Sequence, residues 1–332
     1  MRTPMSRIVL VTGASSGIGR ATALEAARRG DHVVLVARGL STLEEAAQQC
    51  RDLGAASARA VSVDLGDAEA VQSMVDGIHQ ELGRIDAVVN SAGVVAYGRF
   101  EDVPADVFAG VLRTNVLGAA NVARAVLPRM RQRNSGHLIL IGSLIGHIAP
   151  PYMSAYAVSK WAVRGLAREL VIENRDRPGV HVGLVSPGGV DTPIYLQAAN
   201  YLGQVGRPPP PVVSPEKVAQ RALRLLDHPR ARVQVGAANR LIVAGFGLFP
   251  AVFDAIVTPM FRNGATDLRG RVPPGSGNVL ASVPDGNRLH GGQGNPYVGI
   301  LANLVTTGRA ALRPRSVGST TTGRPGSDPS GS

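Results

Sequence analysis

Residues 7–30 constrain the fold more than any other stretch. Arg7 to Thr12 (Arg-Ile-Val-Leu-Val-Thr) is an apolar run of strand length, Gly13-Ala-Ser-Ser-Gly17-Ile-Gly19 follows at once, and a helical pattern then continues to about Gly30. A strand apolar on both faces belongs inside a parallel sheet. A glycine turn between such a strand and a helix N-terminus makes a phosphate cradle, because free N–H groups and the helix dipole both attract an anion. Gly13, Gly17 and Gly19 let the backbone approach, with Ser15, Ser16 and Ile18 between them. The spacing Gly-x-x-x-Gly-x-Gly differs from the Gly-x-Gly-x-x-Gly dinucleotide fingerprint, so it points to a different branch of dinucleotide-binding folds.

The same alternation continues. Strands are predicted at His32–Ala37, Ala58–Val63, Asp86–Asn90, His137–Gly142, Val180–Ser186 and Arg232–Gly236. Helices are predicted between them at about Ser41–Leu53, Asp67–Leu82, Pro104–Gln132, Ser154–Arg175 and Ser214–Leu226. This pattern predicts one α/β domain over residues 6–236, a doubly wound parallel sheet of Rossmann type, with ligands at the carboxyl ends of the strands. Several candidate residues stand at those ends. Asp64, beside Leu65, is suited to accept from an adenine amino group. Asn90 is suited to pin its strand, while Ala92 and Gly93 let a ring pass close. Pro187, Gly188 and Val190 shape a turn, and the Thr192 hydroxyl suits a carboxamide or a phosphate. Each of these alone also reads as an ordinary turn residue. Asn115, inside the long 104–132 pattern, is either structural or the mark of a local kink that holds a water.

The end of the second strand decides the cofactor. A carboxylate there would meet a free 2′-hydroxyl, but this chain has Ala37 and Arg38. No acid repels a 2′-phosphate, and Arg pairs with one bidentately. NADP(H) is therefore expected in preference to NAD(H), the alternative being an Arg38 that faces solvent.

The richest chemistry lies at Ser143-Leu-Ile-Gly-His-Ile-Ala-Pro-Pro-Tyr-Met-Ser-Ala-Tyr156-Ala-Val-Ser-Lys160. Tyr156 and Lys160 are one helical turn apart and share a face. A cation beside a phenol favours the phenolate and brings it towards the working range of a general acid or base. Ser143, delivered by the preceding strand, is placed to hold a substrate oxygen. Without the rest of the chain, Tyr-x-x-x-Lys is also a plain exposed helix face.

Composition excludes some classes. The formal charge of +11 comes with 35 basic residues, all Arg but Lys160 and Lys217; they are scattered, and aromatics are only 4%, so no nucleic-acid partner is expected. The single Cys50 rules out an internal disulfide, and no N-terminal apolar stretch of signal-peptide length precedes the first strand. A reducing, cytoplasmic setting is the expectation, and no metal is expected.

Beyond the core, residues 190–213 lack a clean period and read either as a flexible lid over an apolar pocket or as a surface loop. Residues 237–262 form an apolar helical extension, within which 241–261 carries Asp254 as its single charge. Pro250 and Pro259 divide it, so helices covering the substrate pocket or a partner subunit come first, a peripheral membrane contact second and a true span last. Residues 263–332, rich in Gly and Pro, are expected to be mostly disordered.

Taken together these motifs resemble the short-chain dehydrogenase/reductase family, in its shorter, non-extended branch. The resemblance covers roughly residues 6–236 and rests on Thr12-Gly-x-x-x-Gly17-x-Gly19, Asp64, Asn90-x-Ala92-Gly93, Asn115, Ser143, Tyr156-x-x-x-Lys160, and Pro187-Gly188 with Thr192. Ser91 and Gly142 depart from it mildly. It implies hydride transfer between nicotinamide and a carbon bearing oxygen. Tyr156 would be the general acid/base and Ser143 would polarise the substrate oxygen. Lys160 would acidify Tyr156 and hold the nicotinamide ribose, and Asn115 would hold a relay water. It also implies a homodimer or homotetramer through the helices at 104–132 and 154–175. A hydrophobic alcohol or ketone is the expected substrate. The alternative is a catalytically silent NADP(H)-binding regulator or scaffold.

Overall fold

The computed structural model describes residues 6–311. Its chain begins with β1 (Ile8–Thr12), α1 (Gly17–Arg28), β2 (His32–Ala37), α2 (Leu40–Asp52), β3 (Ser57–Ser62), α3 (Ala68–Leu82) and β4 (Ala87–Asn90). After the short β5 (Ala96–Tyr97) come α4 (Ala105–Leu112), α5 (Gly118–Gln132), β6 (Gly136–Ile141), α6 (Ser154–Glu173) and β7 (Val180–Pro187). Three short strands, β8 (Gly189–Val190), β9 (Ala199–Asn200) and β10 (Gln204–Gly206), lead to β11 (Val212–Val213), α7 (Pro215–Asp227) and β12 (Arg232–Val235). The C-terminal part adds α8 (Asn239–Leu248), α9 (Pro250–Gly264), β13 (Thr266–Arg271) and α10 (Pro296–Ala311).

Seven strands form one parallel sheet in the order β12-β7-β6-β4-β1-β2-β3. β1 is central, with Val9, Leu10 and Val11 fully buried between β2 and β4, which is why its run is apolar on both faces. Helices α1, α2 and α7 cover one face; α3, α5 and α6 cover the other. The strand order reverses at β1, between β4 and β2, so the crevice at their carboxyl ends is the natural binding cleft.

The long helix expected over 104–132 is interrupted. Arg113–Leu117 is a π-helical turn between α4 and α5, and Asn115 lies within it, buried at 2% exposure. Such turns break the regular ladder and recur at functional sites. Here the turn carries the Asn115 amide to the loop after β4.

Residues 190–213 are not a free loop. β8 pairs with β11 and so joins the two ends of the segment, while β9 pairs with β5 and β10 with β13, tying it at two points to the rest of the molecule.

The expectation of a mostly disordered tail from 263 onwards is corrected over residues 263–311. β13 adds antiparallel to β10, and the buried Asn303 of α10 donates to the carbonyls of Asn263 and Thr266 at 3.0 and 2.7 Å. Gly and Pro deny this stretch a core of its own, but main-chain bonds to the body order it instead. Residues 312–332 lie outside the described residues.

The 241–261 segment is two helices, broken at Phe249 (φ −132°, ψ 58°) with Pro250 opening the second. Among the described residues no helix is long and apolar enough to cross a membrane. Phe246 packs edge-on against Trp161 of α6 and against Phe253. Leu241, Leu248, Phe249, Val252 and Met260 remain exposed.

Candidate active site

The cleft is built from strand ends. Gly13 follows β1 with φ 66°, and a Cβ there would stand 2.8 Å from the backbone of Ala92, so only glycine allows the two loops to meet. Gly17, at φ 49°, opens α1 against the Thr192 side chain; a Cβ on it would come within 3.0 Å of Thr192 Cγ2. Thr12 holds this junction together. Its hydroxyl donates to Asn90 Oδ1 at 2.8 Å and accepts from the amides of Ser91 and Ala92 at 3.1 and 3.2 Å. Asn90 thus pins its strand through Thr12, the residue that ends β1 and opens the glycine motif.

One cavity runs along these ends. Gly13, Ser15, Ser16, Gly17 and Ile18 of the glycine loop line it, with Arg38, Asp64, Leu65, Ala92, Gly93 and Thr192. Its remaining walls include Ser91, Thr114, Gln197 and, from the C-terminal part, Asn278, Ser282, Val283 and Asn287. Sequence patterns carried no signal for that last group, because their position depends on how a Gly/Pro-rich segment returns to the sheet. Gly19 lies behind the loop, where a Cβ would run into the Gly13 carbonyl. Asp64 accepts from the Gly66 amide at 2.9 Å and pairs with Arg113 at 3.4 Å. Arg38 does not face solvent: it donates to the carbonyls of Asn278 and, at 3.1 Å, Val279.

Beyond Gly93 lies the second half of the site. A Cβ on Gly93 would be 3.4 Å from Asn115 Oδ1 and 3.7 Å from Lys160 Nζ, so this bare position is the passage between the two halves. Ser143, Tyr156, Lys160 and Asn115 are all buried. Asn115 accepts from the Val94 amide at 2.8 Å and donates to Val94 O and to Ser159 Oγ at 3.0 and 2.9 Å. Its side chain therefore stitches the β4 loop to α6. Lys160 Nζ donates to the Ile141 carbonyl at 2.9 Å and lies 5.6 Å from the centre of the Tyr156 ring.

The electrostatics depart from the expectation that Lys160 acidifies Tyr156. Burial pushes the Tyr156 phenol up to about 12, opposed by a hydrogen bond with Ser143. Burial also pulls Lys160 down to about 8. Desolvation of the charged form outweighs the cation at this distance.

Around Tyr156 the walls are apolar and aromatic. Val95, Tyr97, Met153, Ala198 and Phe261 pack with it, and Ile145, Tyr152, Ile194, Tyr195 and Leu202 lean on the same cluster. Phe261, from the apolar extension, lies 6.4 Å from the Tyr97 ring and 5.8 Å from that of Tyr152. Pro187, Gly188 and Val190 stand at the end of β7, Pro187 and Val190 buried and Gly188 half-buried against Asn239. Asn239 Nδ2 donates to the carbonyls of Ser186 and Val235, at 3.2 and 3.3 Å, and so supports that turn from behind.

The residues fit a dinucleotide: a glycine cradle that a Cβ would fill, a helix N-terminus beside it, and a bare passage at Gly93 leading to a buried phenol.

Comparison with known proteins agrees with this geometry. The short chain dehydrogenase family model matches residues 7–200. The uncharacterized oxidoreductase YxnA of Bacillus subtilis is 32% identical over 254 residues, covering 76% of this chain and 71% of that one. The 17-beta-hydroxysteroid dehydrogenase 13 of Mus musculus is 33% identical over 214 residues, covering 64% and 68%. A short chain dehydrogenase/reductase from Burkholderia phymatum, solved in complex with NAD, superposes with a TM-score of 0.67 at 25% identity, over 76% of this chain and 96% of that one. With cradle, passage and buried phenol in one cleft, this chain belongs to the short-chain dehydrogenase/reductase family of NAD(P)-dependent oxidoreductases acting on CH–OH groups.

Proposed function

We propose that this protein is an NADP(H)-dependent oxidoreductase that interconverts an apolar secondary alcohol and its ketone, or the corresponding aldehyde pair. The observation that carries the reading is the position of Tyr156: buried, with Ser143 beside it, and surrounded by Tyr97, Met153 and Phe261 at the end of a dinucleotide-type cleft. When bound, the nicotinamide supplies or accepts the hydride. The chain's own residues handle the proton and the geometry. In the reducing direction Tyr156 Oη gives its proton to the substrate oxygen, and Ser143 Oγ donates to that oxygen and orients it. The Lys160 ammonium favours negative charge at Tyr156 as the proton leaves and is suited to the nicotinamide ribose. Asn115 holds the β4 loop and α6 in register, and a water relay to Lys160 through its π turn belongs to the same reading.

Preference for NADP(H) is supported by the absence of an acid at the end of β2, where Arg38, Ser15 and Ser16 line the cavity. An apolar substrate is supported by the aromatic cluster and by Phe261, which brings the C-terminal extension into it. Leu117, Val158, Trp161 and Ile172, exposed on the outer helices, support assembly as a homodimer or homotetramer. The exposed face of α8 and α9 supports a peripheral membrane contact.

The test is turnover of a carbonyl panel followed by NADPH absorbance. Wild-type turnover of apolar ketones, abolished by Tyr156→Phe with NADPH binding intact, is the expected result; undiminished turnover by the variant would refute the mechanism. NADPH binding without turnover of any carbonyl would instead favour a regulator or scaffold.

A further inference from the structure

Residues 272–295 cross the carboxyl edge of the sheet with a single 3-10 turn at Pro284–Gly286. Val279, 2% exposed, seats this strap among Val94, Ala96, Val107 and Val111, and Leu289 packs half-buried against the core further along. Both banks of the cleft hold it. On one side Asn287 Nδ2 donates to Thr42 Oγ1 at 3.1 Å. On the other, Gln197 Nε2 donates to Val283 O at 3.2 Å, and the amides of Gly291 and Gly292 donate to Asp191 Oδ1 at 3.0 and 3.1 Å.

What the strap presents to the cleft is carbonyl oxygen. The two terminal nitrogens of Arg38 donate to Asn278 O and Val279 O. The Gly17 amide, at the N-terminus of α1, donates to Arg288 O at 3.0 Å. These are donors of two kinds that suit an anion: a guanidinium at the end of β2, and a helix N-terminus in the glycine loop. Three neutral carbonyls occupy the positions where negatively charged oxygens would bind.

Resting on the dinucleotide reading above, we infer that residues 278–288 are an intramolecular competitor of the cofactor's phosphates, with the Asn278 and Val279 carbonyls setting the preference for a 2′-phosphate. A 2′-phosphate makes a charge-assisted pair with Arg38, stronger than the carbonyl pair it replaces, but it binds only the fraction of molecules whose strap is released. NADH carries no group that claims Arg38, so that part of the strap stays latched when NADH binds. With a released fraction on the order of 10%, the apparent affinity for NADPH is about tenfold weaker than that of an unlatched site.

The experiment loosens the strap while leaving Arg38 and the glycine loop unchanged. Val279→Ala removes most of its apolar seat and adds no charge beside Arg38. Gly110→Leu does so from α4, since even a Cβ at Gly110 would lie 2.8 Å from Val279 Cγ1; the second variant keeps the test valid should the first fail to fold. Dissociation constants come from nicotinamide fluorescence, and strap release from amide hydrogen exchange over 276–283. Both variants are expected to bind NADPH about tenfold tighter and NADH within about twofold of wild type, and NADPH alone should speed exchange in the wild-type strap. Weaker binding of both cofactors would make the strap a supporting wall and overturn the proposal. Equal tightening of both would overturn the specificity claim. If wild type prefers NADPH and neither variant changes its affinity, the strap inference fails and the cofactor reading stands. If wild type and variants alike bind NADPH no better than NADH, the cofactor reading fails.

Discussion

Lys160 lies 5.6 Å from the centre of the Tyr156 ring and gives a hydrogen bond not to the phenol but to the carbonyl of Ile141, at 2.9 Å. The cation is therefore anchored by the end of β6, and its charge reaches Tyr156 through space. Since burial lowers Lys160 to about 8, the ammonium is present below that pH and lost above it. The kcat/KM for ketone reduction is expected to be level below about pH 8 and to fall above it, while Lys160→Arg moves the falling limb upward by more than one unit, because guanidinium stays charged. A pH–rate profile with the same limb in both proteins would contradict this.

Thr12 joins β1 to the loop after β4 through a single hydroxyl with three partners. Thr12→Val keeps the shape and leaves Asn90 Oδ1 and two amides without that partner, so a loss of about 2 kcal/mol of unfolding free energy is expected. Thr12→Ser should retain most of it. Urea denaturation monitored by circular dichroism measures both.

Phe261 connects the C-terminal extension to the aromatic cluster at Tyr156. Phe261→Ala is expected to raise KM for bulky apolar ketones roughly tenfold, with small ketones affected far less. Steady-state kinetics on a size series is the measurement; equal effects across the series would place Phe261 outside the substrate pocket.

Acid stability depends on two histidines. Burial is the main cause that lowers both His137 and His147 to about 4, with His181 adding to it for the first and Arg164 for the second. Unfolded, each titrates near its ordinary value of about 6.5. Between those values the unfolded chain binds more protons, so stability should be full above about pH 6.5 and decline as pH falls through 4. His147→Gln, which keeps a polar partner for Ser186 but cannot be protonated, should flatten part of that decline in thermal melts across the range.

The order of the seven strands of the main sheet and of the helices between them was legible because apolar strands and 3.6-residue periodicities are local properties. The long helix over 104–132 was legible as a helix but not as an interrupted one. Its π turn follows from the partners of Asn115, Val94 and Ser159, and those are set by the packing of α6 against the β4 loop. The role of Tyr97 was equally hidden, since a tyrosine in a two-residue strand has no period to reveal that it faces Tyr156. The order found in 263–311 was missed for a related reason. Composition reports whether a segment can build its own core, not whether another part of the chain will bind its backbone.

By itself the sequence determined the chemistry each strand end can offer: a glycine cradle after β1, Arg38 after β2, Ser143 after β6, and a phenol one helical turn from an ammonium. Only the tertiary structure decided how those groups are spent. It buried Tyr156 and Lys160 so that desolvation outweighs their mutual attraction, and it brought Asn278 and Val279 to Arg38 across some 240 positions of chain. The physical reason is that burial and long-range main-chain bonds depend on which surfaces meet, and no local pattern encodes that.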